Sequence, residues 1–148
     1  MSSGPEKYVG REVNYNLTQQ VRNITEDYIG GVEDQLVRRF GMEIRLFGSV
    51  SAGNAIFWQG GNWFLHDVDF FLDRQEAGIS FEEAMALRGD RWFWDQTQKL
   101  LGRIDLFVKK NHLARGILEA DFGYQPIHLP DPLFFAIGYR TRRPDYGA

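Results

Sequence analysis

The chain of 148 residues carries 17 Lys and Arg against 20 Asp and Glu, a formal net charge of -3, and 43% of its residues are hydrophobic. This length and composition predict one globular domain with its own core. The absence of cysteine excludes zinc sites built on cysteine, disulfide scaffolds and thiol nucleophiles. The slight excess of acids excludes a polycation that binds nucleic acid by overall charge, and leaves nucleic acid open as a partner of a local site.

The chain lacks the sequence features of membrane targeting. Residues 1–10 contain neither a basic region nor an apolar region of the kind found in signal peptides. No apolar run approaches the roughly 20 residues that cross a bilayer. We therefore expect a cytoplasmic protein with no membrane partner.

Two stretches predict helices. Apolar residues recur every three or four positions over residues 18–40, which is typical of an amphipathic helix, and Gly30–Gly31 predicts a kink or a division within it. Ser80 and Glu83 have the spacing of a capping box, which predicts the start of another helix.

Short strands are predicted at residues 43–47, 68–72 and 104–108, where apolar and polar side chains alternate. A last helix over residues 113–120 and a short strand over residues 125–129 follow. Strands that alternate with helices predict an α/β or α+β domain, a mixed sheet with helices packed on it. We assign this single domain to residues 18–132, between an N-terminal extension, 1–17, and a C-terminal tail, 133–148.

The residues that point to chemistry are a Gly-Ser turn and three acids. Gly48 and Ser49 follow the first predicted strand, Asp67 and Asp69 share one face of the second, and Asp105 lies on the third. Two neighbouring carboxylates disfavour joint ionisation unless a cation lies between them. Mg²⁺ takes oxygen ligands and commonly binds a few carboxylates together with substrate phosphates. Gly48 allows a tight turn near a phosphate, and Ser49 offers a hydroxyl.

These segments resemble the nucleotidyltransferase fold of the DNA polymerase β superfamily, especially its minimal bacterial members. The resemblance covers roughly residues 20 to 130. It is carried by the strand, Gly-Ser and helix-opening segment of residues 46–53, by the Asp-x-Asp strand of residues 66–71, and by the acid-bearing segment of residues 103–107. It implies a nucleotidyltransferase-like mixed sheet.

The resemblance also implies roles for the five residues. Asp67 and Asp69 would bind both divalent ions, Mg²⁺ or Mn²⁺, and the nucleotide phosphates. Asp105 would bind the catalytic ion and help activate an acceptor hydroxyl, while Gly48 and Ser49 would hold the triphosphate tail. The implied function is transfer of a nucleoside monophosphate from an NTP, ATP among the candidates, to a hydroxyl acceptor, with release of pyrophosphate.

Two departures from the family pattern keep a second function open. Residues 57–64 lengthen the connection between the Gly-Ser turn and the acid pair, and Ala52 stands where many members have an arginine. The alternative is a weak or inactive nucleotidyltransferase-fold binding module that acts through a protein partner, as an antitoxin does. A protein partner or a homo-oligomer is compatible with both functions.

Two further features are interpreted without a fixed role. His66 precedes Asp67, and strand alternation places it on the opposite side from that acid, which favours a position at the surface or the edge of the core over a ligand role. The aromatic residues of the 57–64 segment either stack on a base or acceptor or fold back onto the core. Those residues are Phe57, Trp58, Trp63 and Phe64.

Overall fold

A computed structural model describes residues 12–74, 78–114, 117–124 and 133–140. The helices are α1 (Tyr15–Gln35), which continues as a π-helical turn (Leu36–Phe40), α2 (Ser49–Ala52), α3 (Phe81–Arg88) and α4 (Arg91–Lys110). The strands are β1 (Glu43–Phe47), β2 (Ile56–Gln59), β3 (Asn62–Leu65), β4 (Val68–Asp73), β5 (Ile117–Tyr124) and β6 (Leu133–Arg140).

The first helix forms where the periodicity predicts it. Asn14 caps its N-terminus, because its side chain accepts a hydrogen bond from the backbone of Leu17. The helix runs without a break through Gly30–Gly31, so the predicted division does not occur. Its π-helical turn ends at Gly41, whose φ of 66° lies in the left-handed region that favours glycine.

The main sheet has four strands in the order β1-β4-β6-β5, and every neighbouring pair is antiparallel. Strands β2 and β3 form a separate antiparallel hairpin between α2 and β4. The lengthened connection between the Gly-Ser turn and the acid pair therefore forms a β-hairpin.

The core lies on one face of the sheet, under α1 and α4. Phe70 of β4 contacts Tyr28 of α1 and Phe135 of β6, with ring centroids 5.5 and 5.2 Å apart. Phe93 of α4 packs edge-on against Phe135 at 5.8 Å. The predicted alternation of β4 is confirmed, since Val68, Phe70 and Leu72 are fully buried in this core. Residues 69, 71 and 73 of β4 lie on the other face of the sheet.

Each of the two helices after β4 begins at a polar residue whose side chain caps the helix. Ser80 and Glu83 form the predicted capping box of α3. Asp90 then caps α4 by accepting a hydrogen bond from the backbone of Phe93 at 2.9 Å.

The sequence predictions fail in the C-terminal third. Residues 104–108, predicted as a strand, belong to α4, and the predicted helix at 113–120 is wrong because residues 117–124 form β5. Residues 133–140, assigned to a tail, form β6, which lies between β4 and β5 in the sheet. The predicted strand at 125–129 lies outside the described residues.

The strand prediction at 104–108 failed because five residues fit two periods. Ile104, Leu106 and Val108 alternate as a strand would. Over the longer stretch, the buried residues recur every three or four positions, which is the helical period. They are Phe93, Thr97, Leu100, Ile104, Phe107 and Val108. Leu106, in contrast, is 67% exposed.

Within the part of the chain that the structure describes, no helix combines the length and apolar character needed to span a membrane.

Candidate functional site

The Gly-Ser turn connects β1 to the short helix α2. Gly48 adopts φ 81° and ψ -152°, a backbone conformation that is essentially restricted to glycine. Ser49 is the first residue of α2 and is buried. Gly53 ends this helix with a φ of 87°. The turn therefore has a fixed geometry set by a glycine at each end.

Gly48 lies directly against the carboxylate of Asp69. The two come together because β1 and β4 pair so that Phe47 lies opposite Asp69. A Cβ atom built on Gly48 would lie 2.7 Å from Oδ2 of Asp69, which is closer than real Cβ contacts. Glycine at position 48 thus leaves the space that this carboxylate occupies.

Asp67 and Asp69 are the two acids that the structure brings together. Both are partly buried at the start of β4, beside the Gly-Ser turn. Burial, and then the neighbouring charge of Asp67, raises the pKa of Asp69 to about 6. A buried carboxylate next to a like charge is an environment that a cation stabilises.

Ser49 has a partner that the sequence interpretation missed. Its Oγ lies 3.3 Å from Nδ1 of His66, the residue before Asp67. The prediction placed His66 on the opposite side from Asp67, away from the chemistry. The contact spans 17 positions in sequence, and no local pattern indicates it.

The structure does not bring Asp105 to the acid pair. Asp105 lies on α4, and its carboxylate forms an ion pair with Lys109, 2.8 Å away and one helical turn on. Helix α4 packs on the sheet face that carries Phe70 and Phe135, whereas Asp69 belongs to the other face. In line with this, no three His, Asp or Glu residues in the described ranges form a group able to hold a metal ion.

Strand β5 places two other acids in the register of the sheet. Asp121 pairs with Ala136 of β6, and Ala136 pairs with Asp69 on its other side. The backbones at positions 69 and 121 are thus two strand spacings apart, about 10 Å. Glu119 pairs with Gly138 in the same way. Acids at alternate positions 119 and 121 are typical of a strand, and the helix prediction for residues 113–120 overlooked this pattern.

The aromatic hairpin divides its side chains between the core and the surface. Phe57 is buried, and its ring lies 6.3 Å from that of His66. Trp58 and Trp63 form an edge-to-face pair at 5.2 Å, and Trp58 is 42% exposed. Phe57 therefore folds onto the core, which is one of the two predicted alternatives; Trp58 faces solvent, and its stacking on a base or acceptor stays a prediction.

The residues at the turn fit a hard divalent cation in part. Asp67 and Asp69 supply adjacent carboxylate oxygens, the ligand type that Mg²⁺ prefers. Two carboxylates with substrate phosphates and water are a common set for this ion. Burial, and then the charge of Asp67, raises the pKa of Asp69, so a bound cation would stabilise its ionised form.

Comparisons of this chain with protein-family models, with curated proteins and with solved structures give no match.

Proposed function

We propose that the chain is a Mg²⁺-dependent nucleotidyltransferase, which moves a nucleoside monophosphate from an NTP to a hydroxyl acceptor and releases pyrophosphate. The observation that carries the proposal is the approach of Gly48 to Asp69. It brings a turn suited to phosphate next to a pair of neighbouring acids, although Gly48 and Asp69 are 21 positions apart in the chain.

Each residue of the turn has a role in this proposal. Asp67 and Asp69 hold the metal, and Ser49 donates its hydroxyl to the phosphate tail. When bound, Mg²⁺ supplies positive charge that offsets the charge on the phosphates. The acceptor oxygen bonds to the α-phosphorus, the bond from that phosphorus to the bridging oxygen of the β-phosphate breaks, and the hydroxyl proton passes to a carboxylate of the site.

Asp105 is not assigned to the proposed site. Asp105 lies on α4 with Lys109 as its partner, so it does not join the pair. The proposal therefore assigns the metal to Asp67 and Asp69.

Thermal denaturation tests binding. A ligand at about 100 times its Kd stabilises the folded state by about 2.7 kcal/mol, which for a chain of this size raises the Tm by about 5–10 °C. We expect this rise with Mg²⁺ and an NTP together. Asp67→Asn and Asp69→Asn should abolish it, and Asp105→Asn, the same chemical change on α4, should leave it intact. An unchanged Tm in the wild type would refute the proposal.

Labelled nucleotide tests turnover. Incubation of the protein with each α-labelled NTP, Mg²⁺ and cell extract should label one class of acceptor. The label should be lost with Asp69→Asn and retained with Asp105→Asn. No labelled product with any of the four nucleotides would contradict an enzyme.

A second candidate is a nucleotide-binding module without turnover that acts through a protein partner. Two observations favour it: the described residues hold no cluster of three acids, and Trp58 is exposed at the hairpin. This candidate predicts the same rise in Tm with Mg²⁺ and NTP, and no transfer of label. The two experiments together therefore separate the two functions.

A further inference from the structure

The contact between Ser49 and His66 joins the two chain segments of the proposed site. Ser49 follows Gly48, which lies against Asp69, and His66 precedes Asp67. The Oγ of Ser49 and Nδ1 of His66 are 3.3 Å apart, a distance at which either atom can be the donor, depending on the histidine tautomer.

The backbone of His66 is hydrogen-bonded, and its ring lies near the core. Its backbone N–H donates to the carbonyl of Ala55 at 2.8 Å, and its ring lies 6.3 Å from that of the buried Phe57. Ser49 is buried at the first position of α2. The hydrogen bond therefore joins a buried serine to a partly buried histidine beside the core.

The direction of this hydrogen bond decides what Ser49 offers to a ligand. A serine hydroxyl has one hydrogen. If the hydroxyl donates to a bare Nδ1, only oxygen lone pairs remain, and these repel a phosphate oxygen. If Nδ1–H donates to Oγ, the hydroxyl hydrogen stays available for an anionic oxygen.

We propose that His66 is a positioning residue whose Nδ1–H donates to Ser49 and so reserves the Ser49 hydroxyl hydrogen for a phosphate oxygen of the nucleotide. This inference rests on the proposed function, because it deepens the role of Ser49 at that site. His66 acts through Ser49 and does not itself touch the phosphate.

A double-mutant cycle tests the inference with a probe that lacks a base. The probe is inorganic tripolyphosphate with Mg²⁺, and titration calorimetry measures its affinity. We expect Ser49→Ala and His66→Phe each to weaken binding by about tenfold. The double variant should bind no more weakly than Ser49→Ala, because His66 acts only through the Ser49 hydroxyl, which Ser49→Ala has already removed. Wild-type affinity in His66→Phe, or losses that multiply, would overturn the inference.

A conservative variant separates positioning from folding. His66→Asn carries an amide group near the position of Nδ1, and this amide can donate to Ser49. We expect it to restore the affinity to within about twofold of the wild type. If His66→Phe lowers the melting temperature, His66→Asn still decides the matter: a folded His66→Asn protein that binds as weakly as Ser49→Ala overturns the inference.

Nitrogen NMR shows directly which ring nitrogen of His66 carries the hydrogen. In ¹⁵N-labelled protein at a pH where the ring is neutral, the shifts and couplings of His66 should show that Nδ1 carries the hydrogen. A bare Nδ1 would overturn the inference and would instead make His66 an acceptor for the Ser49 hydroxyl.

Failure of this inference is distinguishable from failure of the proposed function. If the wild type binds Mg²⁺-tripolyphosphate, loses it with Asp69→Asn and keeps it with His66→Phe, only the role of His66 falls. If the wild type does not bind the probe at all, both the proposed function and this inference are refuted.

Discussion

Two carboxylates on the same face of β4, four residues apart, have opposite environments. Asp73 is buried at one end of the strand, and Nη2 of Arg45 on β1 lies 2.5 Å from its Oδ2. Asp69 at the other end has Gly48 and the like charge of Asp67 as its neighbours. The same strand thus carries one compensated acid and one whose pKa is raised.

The difference separates a structural acid from a candidate ligand. A buried charge is stable when a counter-charge lies beside it. Asp73 obtains that charge from within the chain. The environment of Asp69 instead favours either a proton or an external cation, and carboxylates with such shifted pKa values cluster at functional sites.

The largest expected effect concerns the acid pair of the proposed site. If Asp69 holds the metal, Asp69→Asn should lower the rate of label transfer by about 100-fold or more, because a metal ligand is lost. Asp105→Asn is the matched control, since Asp105 has its own partner in Lys109. The reverse pattern, with activity lost in Asp105→Asn and kept in Asp69→Asn, would contradict the proposed site.

The next largest effect is the loss of stability expected when a side chain is added at Gly48, which lies against Asp69. Gly48→Ala should lower the free energy of unfolding by about 2–3 kcal/mol, since it combines an unfavourable backbone conformation with a steric clash against Asp69. Gly53→Ala is the control, because Gly53 also has a positive φ but no atom within 4 Å of its added Cβ. We expect a loss of about 1 kcal/mol there.

A double variant isolates the clash itself. Asp69→Ala should relieve part of the destabilisation caused by Gly48→Ala and none of that caused by Gly53→Ala, as measured by urea denaturation. Equal losses in the two glycine variants would show that the approach to Asp69 has no energetic weight.

Asp90 provides a compensated acid whose pH dependence is opposite to that of Asp69. Burial would raise the pKa of Asp90, but the hydrogen bonds from Arg39 and from the backbone of Phe93 outweigh it and hold that pKa below its usual value. Because the pKa is lower in the folded state, ionised Asp90 stabilises the fold above about pH 3.9. This stabilisation is lost as the pH falls through the folded-state pKa.

Two variants separate the charge of Asp90 from its capping role. Asp90→Asn keeps a side-chain oxygen for the α4 N-terminus, whereas Asp90→Ala removes it and should cost about 1 kcal/mol more. Both should weaken the fall in stability on acidification. An unchanged acid profile in Asp90→Asn would show that the Arg39 pair contributes nothing.

The smallest expected effect is the change in stability caused by Asp69→Asn, whose pH dependence is opposite to that of Asp90. The stability linked to the raised pKa of Asp69 is fully present below about pH 3.9 and is lost as the pH rises through about 6. Asp69→Asn should therefore stabilise the metal-free protein above pH 6 by about 1 kcal/mol, after allowance for solvent screening of a partly exposed group. At pH 4 the difference should be small.

Denaturation in the presence of a chelator at pH 4 and pH 8 measures this effect. The matched variant Asp73→Asn should instead lose stability at pH 8, because it breaks the pair with Arg45. If Asp69→Asn and Asp73→Asn shift stability in the same direction at pH 8, the contrast between the two ends of β4 is wrong.

The extent of successful prediction follows the range of the forces involved. The alternation of β4 and the capping box at Ser80 depend on residues within a few positions, and both are confirmed. The failure at residues 104–108 is of the same local kind: a five-residue window fits two periods, and only the longer series from Phe93 distinguishes them.

Local backbone geometry is enough to predict that Asp69 lies on the face of β4 opposite its aliphatic residues, that Asp67 directly precedes this strand, and that a glycine turn follows β1. The contacts of Gly48 with Asp69 and of Ser49 with His66, and the position of Asp105 on α4 on the far face, arise only in the folded chain. They depend on strand register and on helix packing. Both arise between segments that are distant in the chain, so no periodic pattern within either segment indicates them.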